Sequence, residues 1–356
     1  MATIAARRSR VALTSGVLEF APLAIGLAGL LLGWIGSAWD VAWHRALGRD
    51  TFWSPPHTAM YIGTTLVGLS ALVALVTALR GRTPRTRELA IGPLHAERSF
   101  ALVGFGALAI ISAAPLDDLW HRLFGRDVDI WSPPHLFAVA GAVLAYAGWS
   151  SGAMTGAGGR VARSTVTAIL VAGLIGTLVF GMNFYYVFAW SRDALLYPVI
   201  VCMTIPFALA VGASLLEHRF AATAVALVYT FLNLVTFVAL RSLGWPPPAF
   251  APLVVAGALA LDLTRSRIRS PLAIGLAFAI AFATAEAARL VITAPVPSAA
   301  VLADQQVGRL ATQYWAMASA RPWLSAWPLA VVALGAPLAA VSWMLGGATT
   351  RVLTAR

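Results

Sequence analysis

The sequence predicts an all-α fold: a polytopic integral membrane helical bundle of about ten transmembrane helices, with both termini cytoplasmic. Three observations carry this expectation. Of 356 residues, 60% are hydrophobic and only 11% charged, and the mean hydropathy is +0.81, whereas soluble domains carry about 25% charged residues. Apolar stretches close to the ~20 residues needed to cross the hydrocarbon recur along the whole chain. All 25 basic residues are Arg, and they cluster between alternate stretches, as the positive-inside rule requires. The +11 charge thus follows membrane topology. The expected partner is the lipid bilayer, in the cell (inner) membrane, and not nucleic acid.

Taken in order, the first apolar stretch is centred near residue 30, behind the basic segment Arg7, Arg8 and Arg10. No cleavable signal peptide is evident, because that segment leads directly into a full-length span. The stretch ends in WDVAWHRALG, and the second, near 68, begins at Ser54-Pro55, a favourable N-cap and first helical position. Arg80, Arg82, Arg85, Arg87 and Arg98 follow. The third stretch, near 110, ends in DDLWHRLFG, and the fourth, near 144, begins at Ser132-Pro133. After Arg160 and Arg163 come the fifth, near 175, and the sixth, near 205. Asn183, Tyr185 and Tyr186 lie at the outer end of the fifth, and the single cysteine, Cys202, lies in the sixth. One cysteine excludes an internal disulfide framework and a Cys-rich metal site. The seventh, near 230, runs into RSLGWPPPAF (Arg241–Phe250), and the eighth, near 255, precedes Arg265, Arg267 and Arg269. The ninth, near 282, contains Glu286 and Arg289. The segment from about Thr293 to Ser325 is expected to be the longest extramembrane loop, with room for a short amphipathic helix. The tenth, near 335, leads to Arg351 and Arg356.

The chain reads as a single membrane domain, 1–356, with internal repeats. Repeat 1 (about 18–80) and repeat 2 (about 98–152) share W-H-R, G-R-D and W-S-P-P-H in the same order, ahead of the remaining helices at 161–347. RSLGWPPPAF is a faded copy that keeps Arg, Gly and prolines but no His.

Polar chemistry concentrates in the two full copies. Asp40 and His44 are four apart and share a helix face, Gly48 suits a helix C-terminus, and His57 falls in the first turn of the next helix. Amides at a helix start favour a neutral imidazole, the form that a metal binds. Asp40, His44 and His57 can therefore converge. Asp117, His121 and His135 repeat the set, with one extra loop residue and an additional carboxylate at Asp118. Of six His, only His95 and His218 lie outside these motifs, in loops expected to be cytoplasmic. Two His and one carboxylate suit non-haem iron, copper or zinc. The plainer reading pairs Asp40 with His44 or Arg45 alone, but capping does not require His at both places in both copies. A ligating His usually donates its other N–H to a carboxylate or carbonyl. Asp50, Asp127 and Asp129 are the nearest candidates for that support, with Arg45, Arg49, Arg122 and Arg126 balancing charge. Trp43 and Trp120 stand beside the ligands, either shielding the site or belonging to an interfacial aromatic belt.

The run Asp40, Trp43-His44, Arg49-Asp50-Thr51 and Pro55-Pro56-His57 resembles the metal-site motif in the C subunit of the membrane-bound copper monooxygenases, the particulate methane and ammonia monooxygenase family. The resemblance covers residues 39–57 closely, and the second copy with its insertion. It implies that Asp40, His44 and His57 match that subunit's three metal ligands, in a copper site near the outer, non-cytoplasmic face. It also implies oxidation of a small, poorly activated substrate with dioxygen and a quinol-type reductant. Duplication adds a choice between two mononuclear sites and one shared dinuclear centre, with the shared centre preferred.

The leading expectation is a copper-dependent oxidoreductase, with iron as the alternative metal. A metal carrier would need further polar residues across the membrane, where only Asn233, Asp262 and Glu286 interrupt the later helices. A non-catalytic metal-binding subunit is the third reading, and homo-oligomer or partner subunits are open.

Overall fold

The computed structural model describes residues 2–47, 51–77, 88–91, 94–124, 132–155, 160–181, 196–216, 218–245, 253–293 and 327–354. Among these are ten helices: α1 Ala2–Leu47, α2 Pro55–Thr77, α3 Arg98–Phe124, α4 Pro133–Thr155, α5 Arg160–Gly181, α6 Leu196–Leu216, α7 Ala221–Ser242, α8 Val255–Arg265, α9 Pro271–Thr293 and α10 Trp327–Thr354. Nine are long and apolar enough to cross a membrane, and the chain is an all-α polytopic membrane protein. The eighth apolar stretch departs from expectation. Helix α8 has 11 residues, about 17 Å at 1.5 Å per residue, roughly half the hydrocarbon thickness.

Helix starts follow local chemistry. Proline opens α2, α4 and α9, each directly behind a serine, where its missing N–H has no partner to lose. Between α2 and α3 the sequence suggested only an Arg-bearing loop. The structure instead forms an antiparallel hairpin, β1 Glu88–Ile91 and β2 Leu94–Glu97, pairing Leu89 with Ala96 and Ala90 with His95. LHAE alternates apolar and polar residues and ELAI is a short apolar run after Glu88, both compatible with such a strand pair.

The first four helices form two antiparallel hairpins, α1–α2 and α3–α4. The hairpins meet through α2 with α3 and, more lightly, α1 with α4, which leaves α1 and α3 on a diagonal. Helix α5 packs on α4, α6 and α7, while α10 packs between α6 and α9.

Both hairpins cross at the same place. A Cβ on Gly29 would stand 2.6 Å from the Gly63 carbonyl oxygen, and one on Gly63 would stand 2.7 Å from that of Gly29. In the second hairpin Gly106 and Gly141 make the same reciprocal approach, at 2.4 and 2.7 Å. Gly29 and Gly106 each lie eleven positions before the Asp of their copy, and Gly63 and Gly141 each lie six after its second His. Backbones this close exclude any side chain, the usual reason for small residues at membrane helix crossings. The crossings set how far apart the ligand-bearing ends of each hairpin stand.

At the opposite end of the bundle, Asp262 on α8 is fully buried. One of its oxygens accepts from Thr223 N and Thr223 Oγ1, both at 2.8 Å, and the other accepts from Arg265 Nε at 2.7 Å. Arg265 also donates to the carbonyls of His218 and Arg219. Thr223 is the third residue of α7, so the carboxylate supplies an acceptor that the first turn of that helix otherwise lacks.

Candidate metal centres

The structure brings all six expected ligands together as two triads, Asp40–His44–His57 and Asp117–His121–His135. Within each triad, one ligand atom per residue lies within 4.8 Å of the others. The last turns of α1 and α3 supply the Asp and first His. The Ser-Pro-Pro-His starts of α2 and α4 supply the second His.

Each carboxylate serves both imidazoles of its triad, one oxygen apiece. His44 Nε2 lies 3.7 Å from Asp40 Oδ2, and His57 Nε2 lies 3.3 Å from Asp40 Oδ1. In the second copy the distances are 3.1 Å for His121 to Asp117 Oδ2 and 3.5 Å for His135 to Asp117 Oδ1. Two ligands bonded at about 2.0–2.2 Å to one ion stand roughly 3.3–3.6 Å apart at the tetrahedral angle. The observed separations fall around that edge length. Asp40 Oδ1 and Asp117 Oδ1 are buried and accept no hydrogen bond among the described residues, although burying an oxygen anion uncompensated is costly.

The first triad carries a further constraint. His57 Nδ1 lies 3.1 Å from the Thr51 carbonyl oxygen. A carbonyl only accepts, so Nδ1 carries the proton, and a neutral ring then has its lone pair on Nε2. That lone pair faces a carboxylate oxygen. Two electron-rich atoms hold such a position only with a cation between them or a second proton on the ring. The Thr51 backbone carbonyl orients the ring, as a partner common behind metal-binding histidines does.

In the second triad His135 Nδ1 lies 2.8 Å from Ser132 Oγ, a hydroxyl that both donates and accepts. His121 Nδ1 is buried without a hydrogen bond among the described residues. Asp118, the extra carboxylate of this copy, forms an ion pair with Arg122 one turn on. Arg122 therefore neutralises Asp118. Arg49, Asp50, Arg126, Asp127 and Asp129, and the side chain of Arg45, lie outside the described residues, as do Asn183, Tyr185, Tyr186 and the loop after Thr293.

The choice between a shared dinuclear centre, the preferred expectation, and two mononuclear sites turns on how the two sets of ligands group. The ligand atoms fall into two triads, each complete within its own hairpin.

The tryptophans differ between copies. Trp43 stacks on Trp245 at 5.3 Å and 22°, and Trp39 meets both rings edge-on. Trp120 packs instead on Phe124 of its own helix, with centroids 4.3 Å apart. The role of Trp245 was legible only as a residue of the faded repeat.

No protein-family model matches the chain, and no curated protein or solved structure matches it. Fold and site together define a multi-pass helical membrane protein with two His/Asp triads that could each bind a metal ion.

Proposed function

We propose that this protein is a membrane-embedded metalloenzyme that holds one ion in each triad. Copper is the proposed metal, with iron as the alternative, and the reaction is a monooxygenase-type oxidation of a small or lipophilic substrate. The observation that carries the metal reading is the pair of carboxylates, each facing two imidazoles at ligand-edge distances while accepting no hydrogen bond on Oδ1. The proposed orientation puts both triads at the non-cytoplasmic face, because the Arg clusters fall at the other end. Bound copper would supply the one-electron and dioxygen chemistry that protein side chains lack. The overall balance is substrate C–H plus dioxygen, two electrons and two protons giving the alcohol and water, with a quinol-type donor supplying the electrons.

The chain's own residues have defined parts in this scheme. Asp40 and Asp117 bring negative charge to each ion, and His57 is held by the Thr51 carbonyl, which leaves Nε2 as the ligand atom. An apolar cleft of about 250 Å³ beside His57 is lined by Trp53, Thr58, Tyr61, Ile62, Thr65 and Leu66. Its lining suits a lipophilic substrate entering from the bilayer. A carrier is less well supported, since Asp262 is engaged in helix capping and Asn233 bonds to the Tyr229 carbonyl of its own helix.

Metal analysis and electron paramagnetic resonance on purified wild type, His57→Ala and His135→Ala test this reading. Two equivalents of redox-active metal in wild type and one in each variant are expected. Zinc alone would overturn the oxidase assignment, and no metal would overturn the site.

A further inference from the structure

We infer that the turn closing α7, the copy of the motif that has no histidines, is a positioning element for the first triad, which makes that triad the tighter metal site of the two. The inference rests on the metal reading above but concerns a different part of the chain. Residues 241–245 end α7 in a Schellman turn. Gly244 has φ +81°, Gly244 N bonds to the Arg241 carbonyl at 3.1 Å, and Trp245 N bonds to the Leu240 carbonyl at 2.9 Å. That geometry turns Trp245 out of the α7 axis and places its ring on Trp43, with Trp39 closing the third side. Trp39 directly precedes Asp40, and Trp43 directly precedes His44. The ligand-bearing turn of α1 is therefore clamped, with His57 of α2 on one side and Trp245 on the other.

Further down, the same two helices are joined again. Trp34 Nε1 donates to Thr236 Oγ1 at 3.1 Å, and the Trp34 ring meets Tyr229 edge-on at 6.5 Å. The contact between α1 and α7 thus runs along several turns and ends at the triad. Nothing similar supports the second triad among the described residues. Leu116 occupies the place of Trp39 and is half exposed, and Trp120 turns back onto Phe124. The His–Asp separations are 3.7 and 3.3 Å in the first triad and 3.1 and 3.5 Å in the second; the backing differs as well, and ligand backing commonly changes metal affinity about 10–100-fold.

The test uses full-length protein in lipid nanodiscs, with Trp245→Ala and Trp245→Phe. One arm needs no metal: carbethoxylation of His44 and His121 by diethyl pyrocarbonate, followed by peptide mass spectrometry. Trp245→Ala should speed His44 modification several-fold and leave His121 unchanged, while Trp245→Phe should stay near wild type. The second arm titrates copper in single-triad backgrounds. Trp245→Ala should weaken binding about 10-fold with His135→Ala, which leaves the first triad, and less than about twofold with His57→Ala. Equal effects in both backgrounds, or unchanged His44 reactivity, would overturn the positioning role. If neither background binds copper, the metal reading fails, and the carbethoxylation arm still decides the role of Trp245.

Discussion

Replacing Gly63 by Ala sets a methyl carbon against the Gly29 carbonyl oxygen at 2.7 Å and against Gly33 N at 2.8 Å. Ordinary van der Waals contact begins at 3.4 Å, so α1 and α2 must part by about 0.7 Å at the crossing, an overpacking strain of about 1–3 kcal/mol. His57 lies six residues from Gly63, roughly 9 Å along the helix. A rigid shift of α2 would lengthen His57 Nε2 to Asp40 Oδ1 from 3.3 Å to about 4 Å, beyond the edge of a tetrahedral site. If about 1.4 kcal/mol of that strain is relieved in the metal-free state, copper binding at the first triad falls about 10-fold. The assay is competition titration in the His135→Ala background, with Gly63→Ala introduced into the His57→Ala background as the measure of the second triad. Gly33→Ala is the matched control, because a Cβ there meets nothing within 4 Å. Unchanged affinity for Gly63→Ala, or an equal loss for Gly33→Ala, would refute the view that the crossing sets the site.

Three further outcomes follow from particular contacts. Asp262→Ala should destabilise the fold by about 3 kcal/mol, because it leaves Arg265 and the first turn of α7 without their buried acceptor; thermal unfolding in detergent measures it. Ser132→Ala should weaken copper at the second triad about 10-fold and leave the first unchanged, since it removes the partner of His135 Nδ1. Titration in the two single-triad backgrounds decides this. Tyr146→Phe removes the hydroxyl that donates to the Leu30 carbonyl at 3.0 Å and should cost about 1 kcal/mol in unfolding with unchanged metal binding.

Much of the site could be read from residue order, because its rules are local. The i, i+4 spacing of Asp and His, and the Ser-Pro start that puts the second His in a first helical turn, need only helix geometry. What could not be read depends on which helices become neighbours. One shared centre and two separate triads have identical sequence signatures, and the diagonal placement of α1 and α3 is a property of the bundle. The glycine crossings have a signal, the matching offsets from Asp and His in both copies, but it lies outside the polar motif. Helix α8 looked like a full span because apolar composition continues through prolines that α8 itself does not include. The strands β1 and β2 are too short, and too close to an Arg cluster, to stand out from a loop. Trp43 fitted an interfacial belt as well as a shield, and only the return of α7 brings Trp245 against it.

The buried carboxylate of Asp262 acquires another meaning once both ends of α7 are considered. The helix has 22 residues, about 33 Å, with its first turn tied to Asp262 and its last turn carrying the Gly244–Trp245 corner. Mechanically it is a strut, anchored at the arginine-bearing end and bearing on the first triad at the other. One end of this helix thus rests on a buried carboxylate and the other on the tryptophan that precedes His44. Helix α3, which carries two of the three residues of the second triad, has no such aromatic contact with a helix anchored in this way among the described residues.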